Sequence, residues 1–273
     1  MKKIIMGLIG LIFVIGLIGA AYAAFLFKTL PDPELFDERQ IAQSTKIYDR
    51  SGEVLLYELY GEQKRTVVPL EKIPELVKKA TLAIEDKDFY SHHGVDWRSV
   101  ARAAITNIKY GRVVQGGSTI TQQLAKNVFL KPERTIVRKI KELILALRLE
   151  KKYTKDEILE LYLNQIPYGG NAYGIEAAAQ TYFNKNAQDL EAAEIALLVS
   201  LPKAPSYYSP WGNHKDELLL RKDFVLNQLD LADEKNKEIK FAPSAVGIKA
   251  PHFAITVQDY LINKYGEDYV RNA

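Results

Sequence analysis

The sequence predicts a mainly α protein with an N-terminal transmembrane helix and one short β-hairpin segment between that helix and the rest. Three observations carry the prediction. The run Ile4–Phe27 contains no charged residue, and at about 1.5 Å per residue it is ample for a hydrocarbon core of about 30 Å. From Ile73 onward, apolar residues recur at three-to-four spacing in a succession of segments punctuated by glycine and proline. Only Lys46–Tyr60 alternates apolar and polar residues, about an Asp49-Arg50-Ser51-Gly52 turn, as a hairpin does.

The N-terminal run has a competing reading as a cleaved signal peptide, since Ala21-Tyr22-Ala23 fits the small-x-small cleavage pattern. Signal-peptide apolar cores run only about 7–15 residues, however, so an uncleaved anchor is expected. Lys2 and Lys3 precede the span, whereas Lys28 is followed by Asp32, Glu34, Asp37 and Glu38. That asymmetry puts the N-terminus in the cytoplasm and the chain from about residue 30 on the outer face of the inner (cytoplasmic) membrane, as a single-pass protein. Pro31 to Gln43 reads as a linker. Pro74 suits the first turn of a helix through Val77, Ala80, Thr81 and Ile84. Further helices are expected over Arg98–Ile108, Thr119–Phe129, Thr135–Lys152, Lys155–Leu163, Ile175–Tyr182, Leu190–Leu201 and Glu217–Leu231. The resulting division is a cytoplasmic tip and anchor (1–30), a linker with hairpin (31–65), a helical domain (66–215) and a C-terminal helix opening another linker (216–273).

Composition narrows the function classes. Of 273 residues, 47% are hydrophobic and 26% charged, as in a globular chain with a core. The net charge of +3 implies no global attraction to polyanions, and no nucleic-acid partner is expected. Cysteine is absent, which excludes disulfides, thiolate catalysis and cysteine-ligated zinc.

Three stretches carry titratable groups in patterns that suit chemistry. In AIEDKDFYSHHGVD, Ala83 to Asp96, Glu85 stands between apolar Leu82-Ala83-Ile84 and Phe89, with Asp86 and His92 close by. Asp88 and His92 are at i, i+4, but no third metal ligand accompanies them, so a histidine closing the loop before Gly94 is the expectation and no protein metal site is predicted. In QGGSTITQQLAKN, Gln115 to Asn127, two glycines permit a tight backbone, and Ser118 or Thr119 can cap a helix. Thr121, Gln122, Gln123, Lys126 and Asn127 then surround one end of a helix whose positive dipole suits an anion. In Glu133 to Lys152, Arg134, Arg138 and Lys141 share a face with Glu142 at its edge, while Ile136, Ile140, Leu143 and Leu147 form the opposing apolar stripe. Such a charge run is a solvated face in many helices, but beside a dipole-equipped loop it suits phosphate or pyrophosphate. Two separated carboxylates, Glu85 and Glu142, match enzymes acting on glycosidic linkages. Ser200-Leu-Pro-Lys203 has the spacing of serine acyl-enzymes, but Pro202 disrupts the helical register that pattern needs, and no S-x-N, S-D-N or K-T-G accompanies it.

In this order, the segments resemble the peptidoglycan glycosyltransferase domain of class A penicillin-binding proteins (glycosyltransferase family 51). Glu85-Asp86-x-x-Phe89-x-x-His92-x-Gly94 resembles the first family motif, Gly117 to Asn127 the second, and Arg138-Lys139-x-x-Glu142 the third. Lys155-x-x-Ile158-Leu-Glu160-x-Tyr162-Leu-Asn164 resembles the fourth, and AYGIEAAAQTYF with ALLVSLPKAPSYYSP the region of the fifth. Asn184 stands where the family usually has glycine, and Pro167 where an aromatic is common. The resemblance implies a lysozyme-like fold with a hydrophobic lobe partly sunk in the membrane. It implies polymerisation of lipid II into β-1,4 glycan strands, with inversion and release of undecaprenyl pyrophosphate. Carried over, Glu85 is the base for the acceptor 4-hydroxyl, and Glu142 sits near the donor pyrophosphate or a divalent cation (Mg or Mn). Lys126, Arg134 and Lys141 neutralise the pyrophosphate, with Arg138 and Lys139 completing that motif. Ser118, Thr119, Gln122 and Asn127 line or brace the cleft, and Asp86, Phe89 and His92 shape the surroundings of Glu85. No organic cofactor is implied. The implied partners are lipid II, the growing glycan strand, the membrane and cell-wall synthesis proteins, and the APHF segment resembles a linker to a transpeptidase domain. The alternatives are a lytic muramidase and a non-catalytic scaffold tethered to the membrane.

Overall fold

The computed structural model describes residues 28, 30, 45–53, 55–59, 64–112, 116–131, 133, 135–243 and 251–266. The expected anchor Ile4–Phe27, the linker Pro31–Gln43 and Arg134 lie outside them. Among the described residues, no helix is long and apolar enough to cross a membrane. The chain is mainly helical, as the apolar spacing predicts.

The hairpin forms where alternation places it. Strand β1 (Thr45–Tyr48) pairs antiparallel with β2 (Leu55–Leu59), Ile47 facing Tyr57. Asp49 fixes the turn by accepting from the Ser51 hydroxyl at 2.8 Å and the Glu53 amide at 3.2 Å. A second, three-stranded sheet was not legible from the sequence: β3 (Lys64–Arg65), β4 (Pro167–Gly169) and β5 (Ala172–Tyr173), in the order β3-β5-β4. Its strands are too short for a period of two to show. The Gly169-Gly170-Asn171 link joins β4 to β5 with all three residues at positive φ.

Nine α-helices of eight or more residues lie among the described residues: α1 (Glu75–Glu85), α2 (Trp97–Tyr110), α3 (Ile120–Phe129), α4 (Ile136–Lys152), α5 (Lys155–Gln165), α6 (Ile175–Phe183), α7 (Ala192–Ser200), α8 (Lys215–Gln228) and α9 (Pro251–Tyr265). Their starts are set by side chains that satisfy orphan amides. Asp96 caps α2, Thr135 caps α4, and Thr119 with Gln122 and Thr154 with Glu157 form capping boxes on α3 and α5. Helix α6 ends on Asn184 in the left-handed conformation, φ 55°. Asparagine tolerates that conformation, so it replaces the family's glycine without breaking the C-cap.

The core lies between α7 and its neighbours. Ala196, Leu197 and Leu198 of α7 are fully enclosed, as are Leu124 of α3, Leu145 and Leu149 of α4, and Leu159 and Tyr162 of α5. Helix α9 packs on the hairpin instead, through Val257, Leu261 and Ile262 against Ile47. Helix α4 corrects the expected stripe. Ile136 is 82% and Leu147 47% exposed, whereas Glu142, Leu145, Ala146 and Leu149 are buried. The helix therefore turns Glu142 inward and part of its apolar stripe to the surface.

Gly174 opens α6 at φ 84°, and an added Cβ would lie 2.7 Å from the Asn164 carbonyl oxygen. Both the φ and the clash with fixed backbone oppose any side chain there. Gly174→Ala is expected to lower the unfolding free energy by about 2 kcal/mol or more, read by chemical denaturation.

Candidate active site

The site begins at the junction of α1 and α3. Glu85 is the last residue of α1, and one of its carboxylate oxygens, Oε2, accepts from Gln123 Nε2 at 2.8 Å. Its neighbour Asp86 turns the other way and is enclosed. Asp86 Oδ2 accepts from the Ile120 amide at 2.9 Å, and Oδ1 lies 2.9 Å from His92 Nε2. Burial pushes the Asp86 carboxyl above the usual carboxylate range, against the pull of His92 and the Ile120 amide. The positive end of α3 is thus already matched by a protein carboxylate. This corrects the expectation that the helix start receives a substrate anion.

The loop behind this junction is braced from several sides. Thr119 donates its hydroxyl to the Gly94 carbonyl at 2.6 Å. Thr121 donates to Glu150 Oε1 at 2.5 Å, and Lys155 donates to the same oxygen at 2.8 Å. Lys155 also stands over the Phe89 ring, 4.5 Å from its centroid. Asp86, Phe89, Thr119 and Gln122 are all buried, and His92 is held in the Asp86 pair. Four of these five are enclosed and His92 is committed to Asp86, so among the two roles expected of them, lining or bracing the cleft around Glu85, their positions are those of bracing residues.

A cation-rich wall adjoins Glu85. Glu142 lies buried, with Lys139 Nζ 2.9 Å from Oε2 and Arg138 Nε 3.5 Å from Oε1. Lys139 also donates to the Ser118 hydroxyl at 2.8 Å, tying the glycine loop to α4. Lys126 is half-buried in the middle. Burial is the main force lowering its pKa, helped by the charges of Arg138 and Lys139 and opposed by Glu142 and Glu85. The structure therefore brings Glu85, Lys126, Arg138, Lys139, Glu142 and Ser118 together. Asn127 is exposed at the far end of α3, and among the described residues Lys141 makes no ion pair with Glu142 or Glu85.

The sequence left three contributors unassigned. Gln123 touches Glu85, and Tyr162 donates its phenol proton to Gln123 Oε1 at 3.3 Å. Lys203, just past α7, feels the Glu85 charge, although burial and Arg221 lower its pKa. The serine beside it is no nucleophile: Ser200 is fully buried and donates to the Ala196 carbonyl at 2.7 Å. A detectable signal existed for Gln123. The Thr119-x-x-Gln122 capping box commits Gln122 to its own helix end and leaves the next glutamine free.

A mainly helical body carrying two carboxylates beside a half-buried lysine defines a class that the family comparison specifies. A family model described as Transglycosylase matches residues 52–230, and the chain belongs to this family, the transglycosylase domain of class A penicillin-binding proteins. Penicillin-binding protein 1A of Aquifex aeolicus (strain VF5) is 43% identical over 98% of this chain and 38% of its own length. The protein of the same name from Escherichia coli (strain K12) is 40% identical over 91% of this chain and 30% of its own length. The chain spans well under half the length of these relatives. A crystal structure of penicillin-binding protein 1A from Haemophilus influenzae is 24% identical, with a TM-score of 0.45 over 85% of this chain and 26% of that one.

The lowered Lys126 pKa gives a sign to test. A cation whose pKa is depressed loses its charge earlier as pH rises than an ordinary lysine does. Inorganic pyrophosphate binding, followed by calorimetry, is expected to weaken with rising alkaline pH. Lys126→Arg, which stays charged, is expected to flatten that dependence.

Proposed function

We propose that the protein is a membrane-anchored peptidoglycan glycosyltransferase that polymerises lipid II for the bacterial cell wall. The observation that carries this reading is the half-buried Lys126, which feels the charges of Glu85, Glu142, Arg138 and Lys139, beside the buried Glu142 held by the last two. Glu85 takes the proton from the acceptor 4-hydroxyl. That oxygen attacks the donor anomeric carbon from the opposite face, so configuration inverts. The anomeric bond to the diphosphate breaks, and undecaprenyl pyrophosphate leaves with the electron pair. Lys126, Arg138 and Lys139 meet the developing negative charge, an interaction typically worth ~3–4 kcal/mol per preorganised donor. A lytic muramidase expels a sugar and has no use for such a wall.

A divalent cation, Mg or Mn, fits this arrangement only in part. Among the described residues no group of three acidic or histidine side chains could hold a metal, yet Glu142 Oε1 is buried without a hydrogen-bond donor. One carboxylate together with substrate phosphates is a usual way of holding magnesium. When bound there, the ion would neutralise charge on the diphosphate.

The lipid-borne substrate calls for a membrane surface, and exposed apolar side chains supply a face for it. Trp97, Ile105 and Ile108 of α2 are 65%, 70% and 81% exposed. Trp97 and Leu147 of α4 border one open groove, and Ile136 extends the apolar surface of α4. We read these as the lobe that enters the headgroup region on the outer face of the membrane. Paired substitution of Ile105 and Ile108 by glutamate is expected to reduce co-sedimentation with phospholipid vesicles while leaving the melting temperature near that of the parent.

Incubation with lipid II decides among the readings. Glycan polymer and released lipid pyrophosphate are expected, and Glu85→Gln should lower the rate by about 100-fold or more with the circular dichroism spectrum unchanged. Breakdown of preformed glycan would favour the muramidase. Full activity in Glu85→Gln would leave only a binding scaffold.

A further inference from the structure

The base at the end of α1 is held by a neighbour that does no chemistry itself. We propose that Gln123, locked by Tyr162, is a positioning residue that fixes Glu85 through Oε2 and leaves Oε1 as the oxygen that receives the acceptor proton. This rests on the reading of Glu85 as the general base and deepens it.

The argument is one of donors and acceptors. An ionised carboxylate only accepts, so the amide group facing Glu85 Oε2 at 2.8 Å has to be the Gln123 NH2. The Gln123 oxygen then faces the Tyr162 hydroxyl at 3.3 Å, and that hydroxyl donates. Tyr162 is fully enclosed, and burial and the Glu85 charge both oppose its ionisation, so its proton stays in place across the working pH range. The Glu85 end fixes the amide, because a flipped glutamine would set its oxygen against Glu85 Oε2, and the Tyr162 proton then finds the Gln123 oxygen at the other end. Each bond also polarises the next, which strengthens the donor offered to Glu85. Among the described residues Glu85 Oε1 makes no hydrogen bond. It is the free oxygen.

The scaffold holds this chain from both sides. Gln123 stands one turn into α3, whose first amide is bound by Asp86, the residue after Glu85. Tyr162 belongs to α5, which packs in the core beside α3. The charged or titratable groups facing Glu85 are Lys126 of α3, Lys203 after α7, Tyr162 of α5 and Tyr168 of β4. Among the described residues Gln123 alone donates a hydrogen bond to Glu85. In the reaction no bond at Gln123 is made or broken. The proton passes from the sugar hydroxyl to Oε1 while Oε2 keeps its donor.

Steady-state kinetics of the full chain on lipid II in detergent test this with three variants. Gln123→Ala is expected to lower kcat by about 10–100-fold through lost orientation, with KM for lipid II within about threefold of the parent. The acid limb of its kcat profile should move to higher pH, because the ionised carboxylate has lost a donor. Gln123→Glu should move that limb further, since two adjacent carboxylates share a proton. Tyr162→Phe should shift kcat in the same direction by less, and it serves as the second test if Gln123→Ala does not fold. The proposal is overturned if both Gln123→Ala and Tyr162→Phe keep the parental kcat and acid limb, or lose activity through KM alone. Glu85→Gln assayed alongside separates the two readings. An active Glu85→Gln sinks the base, whereas an inactive Glu85→Gln beside a fully active Gln123→Ala sinks only the positioning.

Discussion

One enclosed carboxylate organises the site. Asp86 receives the first amide of α3 and the His92 ring, and so pins the end of α1 to the start of α3. Glu85 precedes it, while Gln123 and Lys126 lie one and two turns along α3 on a common face. Any slip of the Asp86 contact would carry both side chains away from Glu85 together. Enclosure raises the energy of the Asp86 charge, and the helix dipole with two hydrogen bonds offsets only part of it. The charge stays near the site because the fold needs it, not because chemistry does.

The cation wall obeys the same accounting of buried charge. Glu142 lies buried with Arg138 and Lys139 beside it, and a buried carboxylate stripped of such partners is costly to the fold. In turn it keeps two like charges close to Lys126, which burial already works to discharge. The unloaded site thus holds cations in more tension than a surface patch would. In the reaction proposed above, a departing diphosphate would relieve that tension, and a neutral sugar would not.

The helices were legible through apolar residues at three-to-four spacing, and the caps Asp96, Thr119, Thr135 and Thr154 set their starts within a residue or two of the expected ones. The hairpin was legible through its Asp49–Gly52 turn. The sheet uniting Lys64–Arg65 with Ala172–Tyr173 was not, since a two-residue strand shows no period and its pairing is set by distant chain. Glu85, Lys126, Arg138, Lys139 and Glu142 were found by motif and do converge. What sequence could not supply was rotation. It placed Ile136 and Leu147 on an inner stripe of α4, although that helix is apolar on more than one side and packing chose Leu145 and Leu149. Gln122 and Gln123 differ by about 100° around the helix, and only the capping box tells which of them reaches the acid.

The inversion of α4 has an evolutionary corollary. Folding is nearly indifferent to what stands at Ile136, because that side chain gains little from the interior. At Glu142, by contrast, burial and two ion pairs tie the side chain to the fold, and the proposed chemistry would press on the same group. Drift along the outer side of this helix is then limited only by whatever the protein meets outside itself. Hydrophobicity retained there across descendants would be a record of surroundings rather than of architecture.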